Sequence, residues 1–130
     1  MLTQSLWYMP MAGIVNMKNK LPKLYISGPM TGIVDKNAIA FRLAAICLGS
    51  KGYKTVNPWD LDVKDSRETW EECLRRDIKE MMECDGIATL PGCQKSRGAQ
   101  LEIGIAKALK WPVHTVEYWE KYALHNKRSS

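Results

Sequence analysis

Short apolar runs alternate with longer stretches of helical periodicity from Lys23 to the end of the chain. The apolar runs predict strands, and the stretches between them repeat apolar residues with the spacing of an amphipathic helix. The predicted strands span 23–26, 53–56, 85–90 and 113–116, and the predicted helices span 37–50, 69–82 and 96–109, with a helix or turn over 117–124. Such alternation predicts an α/β fold, a Rossmann-like three-layer sandwich with a parallel sheet of four or five strands.

The length of 130 residues suits a single domain with one hydrophobic core. Residues 1–20 are rich in methionine and aromatic side chains without a clear period. We interpret them as an N-terminal extension, with partial disorder as one alternative, ahead of a single domain over 21–130. The chain has no apolar run of membrane-spanning length and no signal-peptide pattern, so we expect no membrane partner.

The helix predicted over 37–50 has an apolar stripe that we expect to face the sheet. At 100° per residue, Ile39, Leu43, Ile46 and Cys47 lie on one side of this helix. A stripe with this spacing is typical of a helix that packs against a core.

Glu102 interrupts the apolar face of the helix predicted over 96–109. The residues that share this face are Ala99, Ile105, Ala106 and Leu109. Burial of a carboxylate without a partner is costly, and Glu102 lies too far beyond Ser96 to complete a capping box. The position therefore indicates a chemical role. A carboxylate that only borders the stripe and pairs with a basic neighbour is the alternative.

Asp77 repeats this arrangement in the helix predicted over 69–82. The apolar stripe around it consists of Trp70, Cys73, Leu74, Ile78 and Met81. Two acids on the inward faces of consecutive helices are typical of a nucleophile and a general acid/base. For Asp77 too, a salt bridge to a basic neighbour is the alternative.

Two segments with glycines and hydroxyl groups follow predicted strands. Ser27–Gly32 contains two glycines, which let backbone N–H groups approach an anion, and Ser96–Gly98 opens a helix whose N-terminus attracts negative charge. Ser96 and Arg97 can add donors to a phosphate. In parallel sheets such loops share the carboxyl edge, where ligands bind. An ordinary strand–helix turn and an ordinary serine N-cap are the alternatives.

The net charge of +5 is scattered along the chain, which is a weak basis for a nucleic-acid partner and suits an anionic small molecule equally well. The four cysteines lack CxxC spacing. This pattern favours a reduced, cytoplasmic protein over a disulfide scaffold or a zinc site.

The histidines and the acidic loop predict no metal site. His114 and His125 have no partner at metal-ligand spacing, and we expect both to be structural or surface residues. Asp60, Asp62 and Asp65 lack the glycine and the terminal glutamate of an EF-hand, so a solvated loop is expected.

Taken in order, these motifs resemble those of the nucleoside 2-deoxyribosyltransferase superfamily, especially a small branch found in phages and bacteria. The resemblance covers roughly residues 23–117. The matching segments are Ser27–Gly32 after its strand, Asn57-Pro58, Arg76-Asp77-Ile78, Cys84–Ile87 and Ser96–Ala106. The last of these is the most specific.

The resemblance implies an enzyme that cleaves or transfers the N-glycosidic bond of a (deoxy)nucleoside or of a nucleoside 5′-monophosphate. It implies that Glu102 attacks the anomeric carbon and that Asp77 is the general acid/base. The residues expected to contact the substrate are Tyr25, Ser27, Gly28, Gly32, Asn57, Ser96, Arg97 and Gly98.

This chemistry uses two carboxyl groups and needs neither a metal nor an organic cofactor. The resemblance also implies a homo-oligomer, a dimer or larger, in the cytoplasm of a bacterium or a phage-infected host. A non-catalytic protein that binds a nucleotide in order to sense or sequester it is the alternative.

Overall fold

The computed structural model describes residues 21–61 and 68–129, in which strands and helices follow the predicted order. The strands are β1 (Leu24–Ser27), β2 (Thr55–Val56), β3 (Gly86–Thr89) and β4 (Val113–Thr115). The helices are α1 (Ala38–Ser50), α2 (Trp70–Met81), α3 (Arg97–Ala108) and α4 (Val116–Ser129). The predicted N-terminal extension over 1–20 lies outside the described residues, as do Asp62 and Asp65 of the acidic loop.

The strands form one parallel sheet in the order β2-β1-β3-β4. β1 pairs with β3 along its whole length, with Leu24 opposite Gly86 and Ser27 opposite Thr89. The predicted α/β fold with a Rossmann-like sandwich is thus confirmed, with four strands in the described part of the chain. Because parallel strands point the same way, the loops after Ser27, Val56 and Thr89 begin at one edge of the sheet, its carboxyl edge.

One face of the sheet is covered by α1 and α4. Leu24 and Ile26 of β1 point into this layer and pack with Phe41, Leu48 and Trp119. Each of the fully buried aliphatic or aromatic side chains contributes roughly 2 kcal/mol through burial of apolar surface. The indole N–H of Trp119 donates a 2.9 Å hydrogen bond to the carbonyl of a β3 residue, which ties α4 to the sheet.

The opposite face of the sheet is covered by α2 and α3. Successive strand residues point to opposite faces, so Tyr25 and Ile87 lie here, against Met81 of α2 and Ala106 of α3. This is the layer that holds the two acids singled out in the sequence.

The predicted inward face of α1 is wrong. The stripe of Ile39, Leu43, Ile46 and Cys47 faces away from the core, with exposed fractions of 67%, 56% and 59% for Ile39, Leu43 and Ile46. The α1 side chains that are buried are Phe41, Ala44 and Leu48.

The reason is that α1 is apolar on nearly every side. Its only charged residue is Arg42, so periodicity offers two candidate faces and does not choose between them. Packing chooses the face with Phe41, whose ring is fully buried. The entry angle of the helix also depends on a turn in which Asp35, Lys36 and Asn37 have φ of 51°, 49° and 67°. The sequence pattern did not predict this turn.

A smaller correction concerns the end of α3. Leu109, expected on the inward face, is 46% exposed, because the helix ends at Ala108 and Lys110 turns the chain with φ of 63°. Ile103 takes its place among the buried residues of α3. In the described ranges, no helix is long and apolar enough to cross a membrane.

Candidate functional site

Glu102 is held against the sheet by the register of α3. Ser96 is the N-cap of this helix, and its hydroxyl accepts a 3.2 Å hydrogen bond from the backbone N–H of Ala99. Six residues after the cap, the Glu102 side chain faces β1 and is only 6% exposed. The predicted inward position of Glu102 is therefore confirmed.

Two hydroxyl groups of β1 bind the Glu102 carboxylate. The Tyr25 hydroxyl donates to Oε2 at 2.8 Å, and the Ser27 hydroxyl donates to Oε1 at 2.7 Å. Tyr25 and Ser27 are two residues apart, so they point to the same face of the strand, and both are fully buried. Each carboxylate oxygen thus has its own donor, which orients the group. The pattern around Ser27 predicted an anion-binding loop, but its hydroxyl is engaged by Glu102.

The environment of Glu102 raises its pKa from 4.5 to about 7. Burial is the largest cause, and the charge of Asp77 adds to it, while the hydrogen bonds from Ser27 and Tyr25 act in the opposite direction. Burial and then the Glu102 charge raise the pKa of Tyr25 well above its usual value, so Tyr25 is a protonated donor.

Asp77 lies within electrostatic reach of Glu102. It is carried by α2, which begins with a capping box in which the Thr69 hydroxyl and the Glu72 side chain each accept from the other residue's backbone N–H. The Asp77 side chain is 14% exposed, and its charge raises the pKa of Glu102 and of Tyr25. The structure therefore brings together the two acids predicted to cooperate.

A basic residue accompanies Asp77, as the alternative interpretation required. Arg76 Nε lies 3.7 Å from Asp77 Oδ1, and Arg76 Nη1 lies 2.6 Å from each carboxylate oxygen of Glu68. Glu102, by contrast, is bound by hydroxyl groups. The sequence did not single out Glu68 or Arg76 as a pair, because eight residues separate them and Glu68 precedes the helix.

The glycine loops at the carboxyl edge contact each other. A Cβ added at Gly28 would lie 2.7 Å from the Cβ of Leu90, so only glycine fits there. A Cβ added at Gly92, which has φ of 88°, would lie 3.2 Å from Pro29. Gly32 has φ of 81°, which glycine adopts without strain. Close packing therefore joins the loop after β1 to the loop that precedes α3.

Arg97 has a partner that the sequence did not indicate. Its guanidinium carbon lies 4.1 Å from the ring centroid of Trp70, the first residue of α2. This cation–π contact links the N-terminal ends of α2 and α3 and leaves Arg97 at the exposed surface. Next to it, a Cβ added at Gly98 would meet no atom within 4 Å, so the backbone is open there.

Asn57 has a local role in the structure. Its side-chain oxygen accepts a 3.0 Å hydrogen bond from the backbone N–H of Trp59 and closes the 3-10 turn Pro58–Leu61. Asn57 is buried at the carboxyl edge, and this oxygen is engaged within its own turn.

In residues 21–61 and 68–129, no group of three or more His, Cys, Asp or Glu side chains could hold a metal ion. His114 stacks on Tyr118 with ring centroids 3.7 Å apart, and burial lowers its pKa. All four cysteines are free, and burial raises the pKa of Cys84 to about 12.

The arrangement offers one main chemical capability. Glu102 is an oriented carboxylate with a pKa near neutrality, and a second acid and an ordered pair of hydroxyls lie around it. Pairs of carboxyl groups with distinct environments support proton transfer and nucleophilic attack at a sugar carbon. The site also lies toward the edge where open α/β sheets bind ligands.

Comparison with known protein families places the candidate residues within the range of one family model. The chain belongs to the family described as Domain of unknown function (DUF4406), whose model matches residues 22–115. The matched range includes every candidate residue from Tyr25 to Glu102. The comparisons with curated proteins and with solved structures gave no significant match.

Proposed function

We propose that this DUF4406 protein cleaves or transfers the N-glycosidic bond of a (deoxy)nucleoside or a nucleoside 5′-monophosphate, with Glu102 as the nucleophile. The observation that carries the proposal is the buried Glu102 carboxylate, which is 6% exposed and receives one hydroxyl hydrogen bond on each oxygen. Burial of an acid costs free energy, and the two donors hold it in one orientation. Both properties suit an attacking group.

The reaction would proceed in two displacements at the anomeric carbon. An oxygen of Glu102 forms a bond to that carbon, the carbon–nitrogen bond to the base breaks, and the base takes a proton from Asp77. Water or a second base then gives up a proton to the Asp77 carboxylate, bonds to the same carbon and releases Glu102 as a carboxylate. Water yields a free sugar, and a second base yields a new nucleoside.

The nucleophile must be ionised, which sets the direction of the pH dependence. Because the pKa of Glu102 is raised to about 7, its reactive form grows as the pH rises through neutrality. We therefore expect kcat/KM to increase between about pH 6 and pH 8 as Glu102 ionises.

The anionic or hydroxylated end of the substrate would lie between Ser27–Gly32 and Ser96–Gly98. Contact of the loop after β1 with Leu90 and Gly92, which precede α3, and the open backbone at Gly98 support this placement. Arg97, held on Trp70, supplies a positive charge at the same helix end. If a phosphate binds there, Ser96→Ala should weaken binding of a deoxynucleoside monophosphate more than binding of the nucleoside. Equal effects would favour a nucleoside substrate.

Self-association and a reducing location complete the proposal. The exposed stripe Ile39, Leu43 and Ile46 supports a homo-oligomer, because large exposed apolar patches commonly mark protein interfaces. The spacing about Leu43 is nearly symmetric, so two antiparallel copies of α1 would place Ile39 of each copy beside Ile46 of the other.

The four free cysteines support a location in the cytoplasm of a bacterium or an infected host.

The direct test is a panel of deoxynucleosides, ribonucleosides and their 5′-monophosphates, with released base detected by chromatography. We expect at least one compound to lose its base, and Glu102→Ala to reduce the rate by several orders of magnitude. Glu83→Ala, which removes an exposed carboxylate shortly before β3, is the matched control. Full activity in Glu102→Ala would exclude Glu102 as the nucleophile.

One observation favours a second function, that of a non-catalytic nucleotide-binding protein. Arg76 lies beside Asp77 and stabilises its charged form, whereas a general acid must carry a proton. Under this alternative, the panel shows tight binding by calorimetry without release of base.

A further inference from the structure

We propose that Arg76 is a positioning residue that acts through Asp77, and that Glu68 offsets its charge so that Asp77 and Glu102 can hold one proton between them. This inference rests on the proposed function, in which one acid must be protonated while the other is ionised. It gives a role to Glu68, which lies outside the motifs of the sequence, through its ion pair with Arg76.

The geometry places one cation between two acids. Arg76 Nη1 contacts both oxygens of Glu68 at 2.6 Å, while Nε of the same guanidinium lies 3.7 Å from Asp77 Oδ1. The side chains of Arg76, Glu68 and Asp77 are 22%, 19% and 14% exposed, so water screens their charges only in part. The Nε atom and the Asp77 oxygen are both shielded from solvent.

Among the described residues, groups of β1, α2 and α3 act on the two acids. β1 contributes the hydroxyls of Tyr25 and Ser27, α3 contributes Glu102, and α2 contributes Asp77 with Arg76. The Cys84 side chain, which follows α2, also raises the pKa of Tyr25.

Glu68 is itself engaged from two sides. The Cys73 thiol donates to Glu68 Oε1 at 3.3 Å, and Arg76 binds both oxygens. Among these groups Arg76 is the cation beside Asp77, and the negative charge of Glu68 offsets part of the positive charge of Arg76.

The charge balance makes opposite predictions for two substitutions. Two carboxylates that interact strongly titrate as a pair, and a nearby positive charge favours their ionised forms. Removal of the cation in Arg76→Gln should therefore raise the pH at which the pair loses its last proton. Glu68→Gln removes an anion that offsets the charge of Arg76, and should lower that pH.

The experiment is a carbon-13 NMR titration of the carboxyl groups in the full chain. The signals of Glu102 and Asp77 are identified by their loss in Glu102→Gln and Asp77→Asn. We expect the last step of the pair to rise by about 1 unit in Arg76→Gln and to fall in Glu68→Gln. Arg76→Lys, which keeps the charge, should titrate close to the unchanged chain.

Arg75→Gln is the matched control, because it removes the same charge from the adjacent, exposed position of α2. It should leave the titration of the Glu102–Asp77 pair unchanged.

If Arg76 were only structural, Arg76→Gln would change the melting temperature, but Arg76→Gln and Glu68→Gln would not shift the titration of the pair in opposite directions. Shifts of the same sign, or none, in Arg76→Gln and Glu68→Gln would overturn the inference. If Arg76→Gln does not fold, an unchanged titration of the Glu102–Asp77 pair in Glu68→Gln is sufficient to overturn the inference.

The titration is independent of turnover, which separates the two proposals. Opposite shifts in a chain that releases no base from the panel would support the charge arrangement and contradict the proposed reaction. Base release without these shifts would contradict the role of Arg76 and leave the reaction in place.

Discussion

At the scale of single residues, the proposed chemistry depends on the environment of Glu102. An isolated glutamate has a pKa well below neutrality, and burial in the α3–β1 contact raises it to about 7. The hydroxyls of Tyr25 and Ser27 limit that rise, because hydrogen bonds to the charged form favour it. Neither effect comes from Glu102 itself, and both require that α3 pack on the same face of β1.

The raised pKa makes the stability of the fold depend on pH. Since the folded state binds the Glu102 proton more tightly than the unfolded state, this contribution is full below about pH 4.5 and is lost as the pH rises through about 7. Glu102→Gln cannot ionise, so it should increase the free energy of unfolding at pH 8 by up to about 3 kcal/mol relative to the unchanged chain. Urea denaturation at pH 5 and pH 8 measures the difference. An equal effect of the substitution at both pH values would contradict it.

Asp77 should affect rate more than affinity. Asp77→Asn keeps the shape of the side chain but cannot transfer a proton, so we expect kcat to fall by about 100-fold or more with little change in the dissociation constant. Steady-state kinetics with the best substrate of the panel, together with calorimetry, separate the two quantities. Lost affinity at normal kcat would instead make Asp77 a binding residue.

At the scale of elements, β1 is the strand on which both layers and the site depend. Its alternate residues serve different purposes: Leu24 and Ile26 fill one core, while Tyr25 and Ser27 bind Glu102 on the other side. Gly28 follows the strand, and there the chain passes so close to Leu90, the residue after β3, that a side chain does not fit.

The close approach at Gly28 predicts a sharp difference between two glycines. Gly28→Ala would place a Cβ 2.7 Å from the buried Leu90 and should cost about 1–3 kcal/mol of stability through overpacking. Gly98→Ala is the matched control, because it meets open space in the first turn of α3 and alanine favours helix. Thermal unfolding should show a lower melting temperature for the first variant alone. Similar melting temperatures would show that Leu90 can move aside.

At the scale of the whole molecule, three of the strands deliver their loops to one edge, where the site lies, while the outer surface of α1 remains apolar. The two features are on different layers of the sandwich, since α1 covers the face opposite to α2 and α3. Assembly through α1 would therefore leave the Glu102 side of the sheet uncovered.

Self-association should depend on the stripe of α1. We expect the unchanged chain to form a dimer or larger oligomer in light scattering coupled to size-exclusion chromatography, and Leu43→Lys to shift it toward the monomer because a charge would be buried in the contact. Leu101→Lys is the control, since Leu101 is 44% exposed on α3, in the other layer. A monomeric unchanged chain, or identical profiles for both variants, would contradict the interface.

The sequence by itself determined the order of the elements, the parallel sheet and the inward position of Glu102. The order of the elements follows from local periodicity, and the parallel sheet follows from the alternation of strands and helices. The inward position of Glu102 follows from its place on the apolar face of α3. A polar group on an apolar helix face is visible in the sequence because the period of a helix is constant.

The tertiary structure decided which partners meet. The buried face of α1, the stacking of Arg97 on Trp70 and the ion pair of Glu68 with Arg76 all depend on contacts between segments or across a turn, which periodicity does not encode. The pKa of Glu102 belongs to the same class, because desolvation and hydrogen bonding exist only once α3 has packed on β1. Local order is thus readable along the chain, whereas the balance of charge in the site is a property of the packed molecule.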